Sequence, residues 1–349
     1  MKILILTQIV DYNDDVLGFM HGWIAEFAQT CEQVTVICLK KGQADLPANV
    51  KVLSLGKEDG RSRIKYVVNF YKYIWRERKN YDIVLAHMNY EYINLGGIFW
   101  RLLGKKVGLW YAHGHVPFGL VTAEKITNLI FTSTKSGCRL NSKKVNVVGQ
   151  GIDVEKFKVV APEARLNNRN QIISIGRISL SKDYETLIKA VEILKRKNLK
   201  LKVQIVGGPA VQADEKYFSD LKRQLIDKKL TEEIKFVGPV ANKDIINYLV
   251  NAAVFVNMGQ TGSLDKAMVE AMAVELPVLT CNEAMLEVLG NYKTELMYAK
   301  KDSQGLADKI ESIINMPGEQ YLAFGKNLRQ LVIDNHSLKK FVNKILNLY

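Results

Sequence analysis

Two cations, Arg177 and Lys182, stand in one short loop directly after an apolar run that ends in Gly176. At the end of a buried strand such a pair suits a diphosphate. An arginine grips phosphate oxygens through forked hydrogen bonds, and a lysine acts as a point charge. The plainer alternative is two solvated surface cations in a basic protein. A second stretch with chemical potential runs from Gly259 to Thr280. Its small-residue loop, Gly259 to Ser263, precedes a helix from about Asp265 to Ala273, and Pro277 ends that helix. A loop feeding a helix in this way aims free backbone N–H groups at one point, where a phosphate would also meet the positive end of the helix dipole. Asp265 either caps the helix or serves the site directly. Glu270 sits among Ala267, Met268, Val269, Ala271, Met272 and Ala273. A carboxylate on so apolar a helix needs a partner, and ribose hydroxyls would serve.

These residues require a scaffold of buried strands. Ala253–Val256 and Pro277–Thr280 read as parallel strands flanking the second stretch. The start of the chain repeats the logic: a strand at Lys2–Thr7, a polar loop, a helix at Phe19–Thr30 with Met20, Trp23, Ile24 and Phe27 on one face, and a strand at Gln33–Leu39. That is a βαβ opening, the beginning of a doubly wound sheet. Further strands are expected at Val50–Leu55, Asp82–Ala86, Lys106–Tyr111, Leu129–Ser133, Val145–Val148 and Lys202–Val206. The polar run from Ala161 to Asn170 reads as a linker. With 349 residues, the chain is too long for one ordinary core, so two domains are expected.

The hydrophobic share of 48% with 24% charged residues fits a globular protein. The net charge of +13 points to an acidic partner such as nucleotide phosphates or anionic lipid. Nucleic acid would fit the charge, but no recognition motif supports it. Cys31, Cys38, Cys138 and Cys281 lack metal-ligand spacing and read as reduced thiols. The first apolar run is too short for a leader or a span, which makes the cytoplasm the expected location.

Residues at strand ends face the ligand crevice of an open parallel sheet. His87, His113 and His115 lie at such places, and each also has a purely structural reading. The segment from Arg61 to Lys79 predicts a helix with Ile64, Val67, Val68, Tyr71 and Trp75 at helical spacing among many basic residues. The favoured reading turns that stripe to the core. The sharper one turns it to an anionic membrane surface, with the basic and aromatic run from Phe99 to Trp110 in support.

The run Gly262-Ser263-Leu264-Asp265-Lys266-Ala267 through Glu270-Ala-Met-Ala and Leu276-Pro-Val resembles the donor-site signature of family 4 retaining glycosyltransferases. Glu270 matches the second acid of that signature. Gly262 stands where the first acid is usual, with Asp265 the nearest substitute, and Glu275 stands where a glycine is usual. The segment Gln150-Gly-Ile-Asp…Phe157 resembles the exit from that family's first domain. The resemblance implies a GT-B architecture: two doubly wound α/β Rossmann-like domains facing a central cleft. Their expected extents are 1–160 for the acceptor domain and 171–328 for the donor domain, with a C-terminal helix, 329–349, crossing back to the first. It implies transfer of a sugar from a UDP- or GDP-sugar to a glycan or lipid-linked acceptor, without a metal or other cofactor. Arg177 and Lys182 would hold the diphosphate, with help from the helix end at Lys266 and Ala267. Glu270 would hold the ribose, and His113 would touch the donor sugar or position the acceptor. Gly207 and Gly208 match a turn that lets the backbone approach the nucleotide. Val237 and Gly238 match the segment that reads the base, and Gly18 matches one residue of a paired-glycine loop; each of these glycines is also a common turn residue. Three other readings remain open: a nucleotide-sugar binder without catalysis, an epimerase or phosphorylase on the same fold, and a ligand-binding protein with two similar lobes, as in periplasmic receptors.

Overall fold

A computed structural model describes residues 1–159, 161–260 and 262–349; Val160, the expected end of the first domain, and Thr261, within the small-residue loop, lie outside the described residues. The chain divides into two compact units. The first comprises Met1–Asp153, Ala241–Lys243 and His336–Tyr349, and the second comprises Val154–Val240 and Asp244–Asn335.

Unit 1 is a seven-stranded parallel sheet. In chain order its elements are β1 (Lys2–Val10), α1 (Phe19–Thr30), β2 (Gln33–Lys41), β3 (Val50–Ser54), α2 (Arg63–Arg76), β4 (Ile83–His87), α3 (Tyr90–Leu102), β5 (Lys106–Trp110), α4 (Phe118–Ile126), β6 (Leu129–Thr132) and β7 (Val145–Val147). The strand order is β3-β2-β1-β4-β5-β6-β7. The direction of winding therefore reverses between β1 and β4, and helices cover both faces. Ile3 to Leu6 are completely or almost completely buried, as expected for a strand covered on both sides. Each such aliphatic side chain contributes about 1.5–3 kcal/mol of burial energy.

One face packs α1 and the C-terminal helix Leu338–Leu348 into a single core. The α1 stripe of Met20, Trp23, Ile24 and Phe27 is buried as its spacing predicts. Phe341 of the C-terminal helix meets Trp23 with ring centroids 4.2 Å apart. The other face packs α2, α3 and α4, and here one expectation is overturned. The stripe of Ile64, Val67, Val68, Tyr71 and Trp75 points outward, and α2 buries Asn69, Phe70 and Ile74 instead. Both stripes are apolar enough to seat a helix, so the choice falls to packing. Phe70 fits between Tyr92 and Trp100, with centroids 5.9 and 6.0 Å away. Asn69 donates to the Leu55 carbonyl at 3.0 Å, satisfying a loop acceptor that would otherwise be buried.

Unit 2 contains β8 (Gln171–Ile175), α5 (Tyr184–Arg196), β9 (Lys202–Val206), α6 (Gln212–Asp227), β10 (Ile234–Gly238), α7 (Ile245–Leu249), β11 (Val254–Asn257), α8 (Lys266–Ala273) and β12 (Val278–Thr280). The short helices α9 (Leu286–Leu289) and α10 (Lys293–Leu296) follow, then α11 (Ser303–Ile314) and α12 (Gly318–Asn335). The five parallel strands take the order β10-β9-β8-β11-β12, so winding reverses between β8 and β11. The tail expected as one helix is two: α12 belongs to unit 2 and the final helix to unit 1.

Candidate functional site

The carboxyl ends of β8 and β11 lie side by side at the reversal point of unit 2, the place where open α/β sheets bind ligands. β8 delivers Gly176 and Arg177, and a short 3₁₀ turn, Leu180–Lys182, delivers Lys182. β11 delivers Asn257 and the loop that leads to α8.

Lys182 Nζ is ion-paired with Asp265 Oδ2, joining the two loops. Asp265 is fully engaged. Its Oδ1 caps α8 by accepting from the Ala267 N–H at 3.3 Å, and its Oδ2 also accepts from Asn257 Nδ2 at 3.0 Å. Asn257 Oδ1 in turn receives the Gly259 N–H at 3.0 Å. The cation from the first loop is thus held at the positive end of α8. Glu270, five residues beyond the cap and so about 7.5 Å along the axis, is 3% exposed and ion-paired to Lys266 one turn earlier. The Lys266 ammonium also lies 5.9 Å from the Phe157 ring centroid. Arg177 is exposed at the end of β8 and has no ion pair among the described residues.

The small residues around these groups have geometric reasons. Gly207 has φ +134°, and a Cβ there would sit 2.1 Å from the Gly176 carbonyl oxygen. Its N–H donates to the Gly238 carbonyl at 2.9 Å. Gly208 accepts from the Ile178 N–H at 3.0 Å, so the Gly207–Gly208 turn braces the Arg177 loop. A register shift between Phe236 and Gly238 takes Val237 out of the ladder and leaves it exposed. Gly262 has φ +69°, a left-handed conformation that disfavours a side chain, which explains why a glutamate does not stand there. Ser263 accepts from Asn282 Nδ2 at 2.7 Å through its carbonyl, and Leu264 is buried.

Sequence reasoning missed the asparagines. Asn257 and Asn282 are both nearly fully buried and pin the loop before α8 from either side. Asn282 also caps the following turn by accepting from the Ala284 N–H at 3.0 Å. The available signal was an amide at the end of an apolar strand. A second brace was also missed: Gln260 Nε2 donates to Asp183 Oδ2 at 2.9 Å, and Asp183 itself has φ +49°.

The remaining candidates lie in unit 1. His113 is exposed, and its Nδ1 accepts from the His115 N–H at 3.0 Å. His87 is a core residue: it is stacked on Trp110 at 5.1 Å, with Trp23 and Phe19 meeting it edge-on, and burial pushes its pKa down to about 3. Gly18 opens α1, where a Cβ would lie 2.5 Å from the Asp14 carbonyl oxygen, so the tight turn alone accounts for it. Among the described residues no cluster of three or more His, Cys, Asp or Glu is placed to hold a metal ion.

Residues 155–331 match the family described as glycosyl transferases group 1. The chain belongs to that family. It is 25% identical over 212 residues to the capsular polysaccharide biosynthesis glycosyltransferase CapM of Staphylococcus aureus, covering 56% of this chain and 52% of that protein. It is 23% identical over 193 residues to a mouse GDP-Man:Man(3)GlcNAc(2)-PP-Dol alpha-1,2-mannosyltransferase, covering 53% of this chain and 39% of that protein. The chain spans about half the length of the first curated relatives it matches. Among solved structures, Anabaena HepE in complex with UDP aligns over 100% of this chain and 99% of its own, with a TM-score of 0.78 and 16% identity. HepE with UDP-glucose gives a TM-score of 0.77 at 15% identity, covering 100% of each chain. These likenesses establish the fold, two Rossmann-like sheets of the GT-B class.

Proposed function

We propose that the chain transfers a sugar from a UDP- or GDP-sugar to an acceptor hydroxyl, with unit 2 holding the donor. The observation that carries this reading is the convergence at the N-terminus of α8. Lys182 is tied to the helix cap there, the Lys266–Glu270 pair lies within the next turn, and the glycine turn of β9 braces the Arg177 loop. In the donor complex Arg177, Lys182 and the free N–H groups of α8 face the diphosphate. Negative charge grows on that group as the glycosidic bond breaks, and fixed cations already in position stabilise it with little reorganisation. Glu270 accepts the ribose hydroxyls. The bond to the departing diphosphate breaks and a new bond forms to the acceptor oxygen, whose proton must leave. His113 of unit 1 is our candidate for positioning the acceptor. Retention of configuration and independence from a divalent metal belong to the proposal. So do a glycan or lipid-linked acceptor in surface polysaccharide or glycolipid assembly, and action in the cytoplasm at the inner face of the membrane. The capsular polysaccharide role of the Staphylococcus aureus relative and the net charge of +13 support that setting. The double change Arg177→Ala and Lys182→Ala should abolish transfer of labelled sugar, and unimpaired turnover would reject the assignment.

The left-handed Gly262 in place of an acid favours one second reading, a donor-binding protein without catalysis. It predicts calorimetric binding of nucleotide sugar with neither transfer nor hydrolysis.

A further inference from the structure

We infer that the outer surface of α2, α3 and α4 docks on an anionic lipid bilayer. Unit 1 leaves an apolar ridge on each of the three helices. Ile64, Val68 and Trp75 rise from α2, Ile98 and Leu102 from α3 and Phe118 from α4; Ile64 is 78%, Leu102 82% and Phe118 87% exposed. The ridges are neighbours. The Tyr71 hydroxyl donates to the Leu95 carbonyl at 2.9 Å, and the rings of Trp75 and Phe99 lie 5.9 Å apart. Asn94 Nδ2 donates to the Gly119 carbonyl at 3.0 Å, joining α3 to α4. Globular proteins seldom leave so much contiguous apolar surface without a use for it.

The charge around the ridges selects the partner. Arg63, Lys65, Lys72 and Arg76 on α2, Arg101 on α3 and Lys125 on α4 are all exposed. Arg63, Lys65, Lys72 and Arg101 have no carboxylate at ion-pair distance among the described residues. Glu77 is buried and taken by Lys51 and Arg76, which leaves Glu91 as the acid exposed on α3. A second copy of the chain could cover the apolar ridges only by bringing like charges together, which is unfavourable. A bilayer rich in anionic lipid satisfies both features. The apolar side chains enter the boundary between headgroups and acyl chains, the cations meet lipid phosphates, and Trp75 and Tyr71 suit the interfacial zone. The inference does not depend on the transferase reading.

The test is co-sedimentation of the full chain with phosphatidylcholine vesicles, with and without phosphatidylglycerol. The chain should pellet with the phosphatidylglycerol vesicles and be released by raised salt. Ile98→Glu with Leu102→Glu should cut partitioning by about tenfold or more, with the circular dichroism spectrum and UDP binding unchanged. Lys65→Glu with Lys72→Glu should remove the preference for phosphatidylglycerol. Failure to pellet with either vesicle, or pelleting that neither variant alters, would overturn the inference. So would a dimer in sedimentation velocity that Ile98→Glu with Leu102→Glu dissociates, with no vesicle binding by the parent chain. Retained UDP binding in these variants keeps the outcome separate from the donor-site proposal.

Discussion

Lys182, at the end of the 3₁₀ turn after β8, is ion-paired to Asp265, the residue that caps α8. The same carboxylate therefore starts the helix and holds the cation that we assign to the diphosphate. The two duties can be separated by substitution. Asp265→Asn keeps a capping oxygen and should change stability by less than about 0.5 kcal/mol through the cap, whereas Asp265→Ala should cost about 1 kcal/mol or more. Both release Lys182, so the activity losses of the two variants should be alike while their urea midpoints differ. Equal midpoints would count against the cap.

Glu270 is buried against Lys266, and the proposal gives it the ribose. Glu270→Gln removes charge from hydrogen bonds that are each worth about 1.5–3 kcal/mol. Affinity for UDP or GDP in calorimetry should fall about tenfold or more. Inhibition by inorganic pyrophosphate, which has no ribose, should be nearly unchanged. A parallel fall for pyrophosphate would move Glu270 from ribose recognition to general support of the loop.

Glu275 follows α8 with φ +61°, where the resembling family usually has glycine. A left-handed side-chain residue costs about 1–2 kcal/mol, and Glu275 Oε2 is buried without a hydrogen-bond partner among the described residues. Glu275→Gly should raise stability by about 1 kcal/mol in thermal or urea unfolding. Gly262→Glu should do the reverse, costing about 1–2 kcal/mol, and should not raise activity. A stable, more active Gly262→Glu variant would contradict the conformational account of that position.

Burial keeps His87 neutral, with a pKa pushed down to about 3, and burial aided by Lys344 lowers His336 to about 4. An unfolded histidine titrates near about 6.5. Between roughly pH 6.5 and 4 the unfolded chain binds protons that the folded chain does not. Stability is therefore complete above that window and falls as pH drops through it, by about 1 kcal/mol per pH unit for each histidine. Urea unfolding at pH 7.5, 6 and 5 should show the decline, and His87→Phe should make it shallower. A flat profile for the parent chain would refute the assignment.

Apolar runs with small-residue ends made the parallel strands legible, because burial on both sheet faces and strand–loop–helix order leave direct marks in one chain. The α1 stripe was legible because only one face of that helix could be buried. On α2 two faces compete. The contest was settled by Phe70 filling the space between Tyr92 and Trp100, a fit no local pattern records.

What the sequence alone determined is the run of elements, the placing of Arg177 and Lys182 after a strand end, of Asp265 at a helix start and of Glu270 within that helix, and the glycines that their turns require. Local propensity and periodicity act within a few residues, so they are written in the order of the letters. What the tertiary structure decided is partnership: Lys182 with Asp265 across 83 positions of chain, Asn257 and Asn282 pinning one loop, and the outward face of α2. Such partners are chosen by packing between segments remote in sequence, where shape and desolvation outweigh anything a single segment can specify.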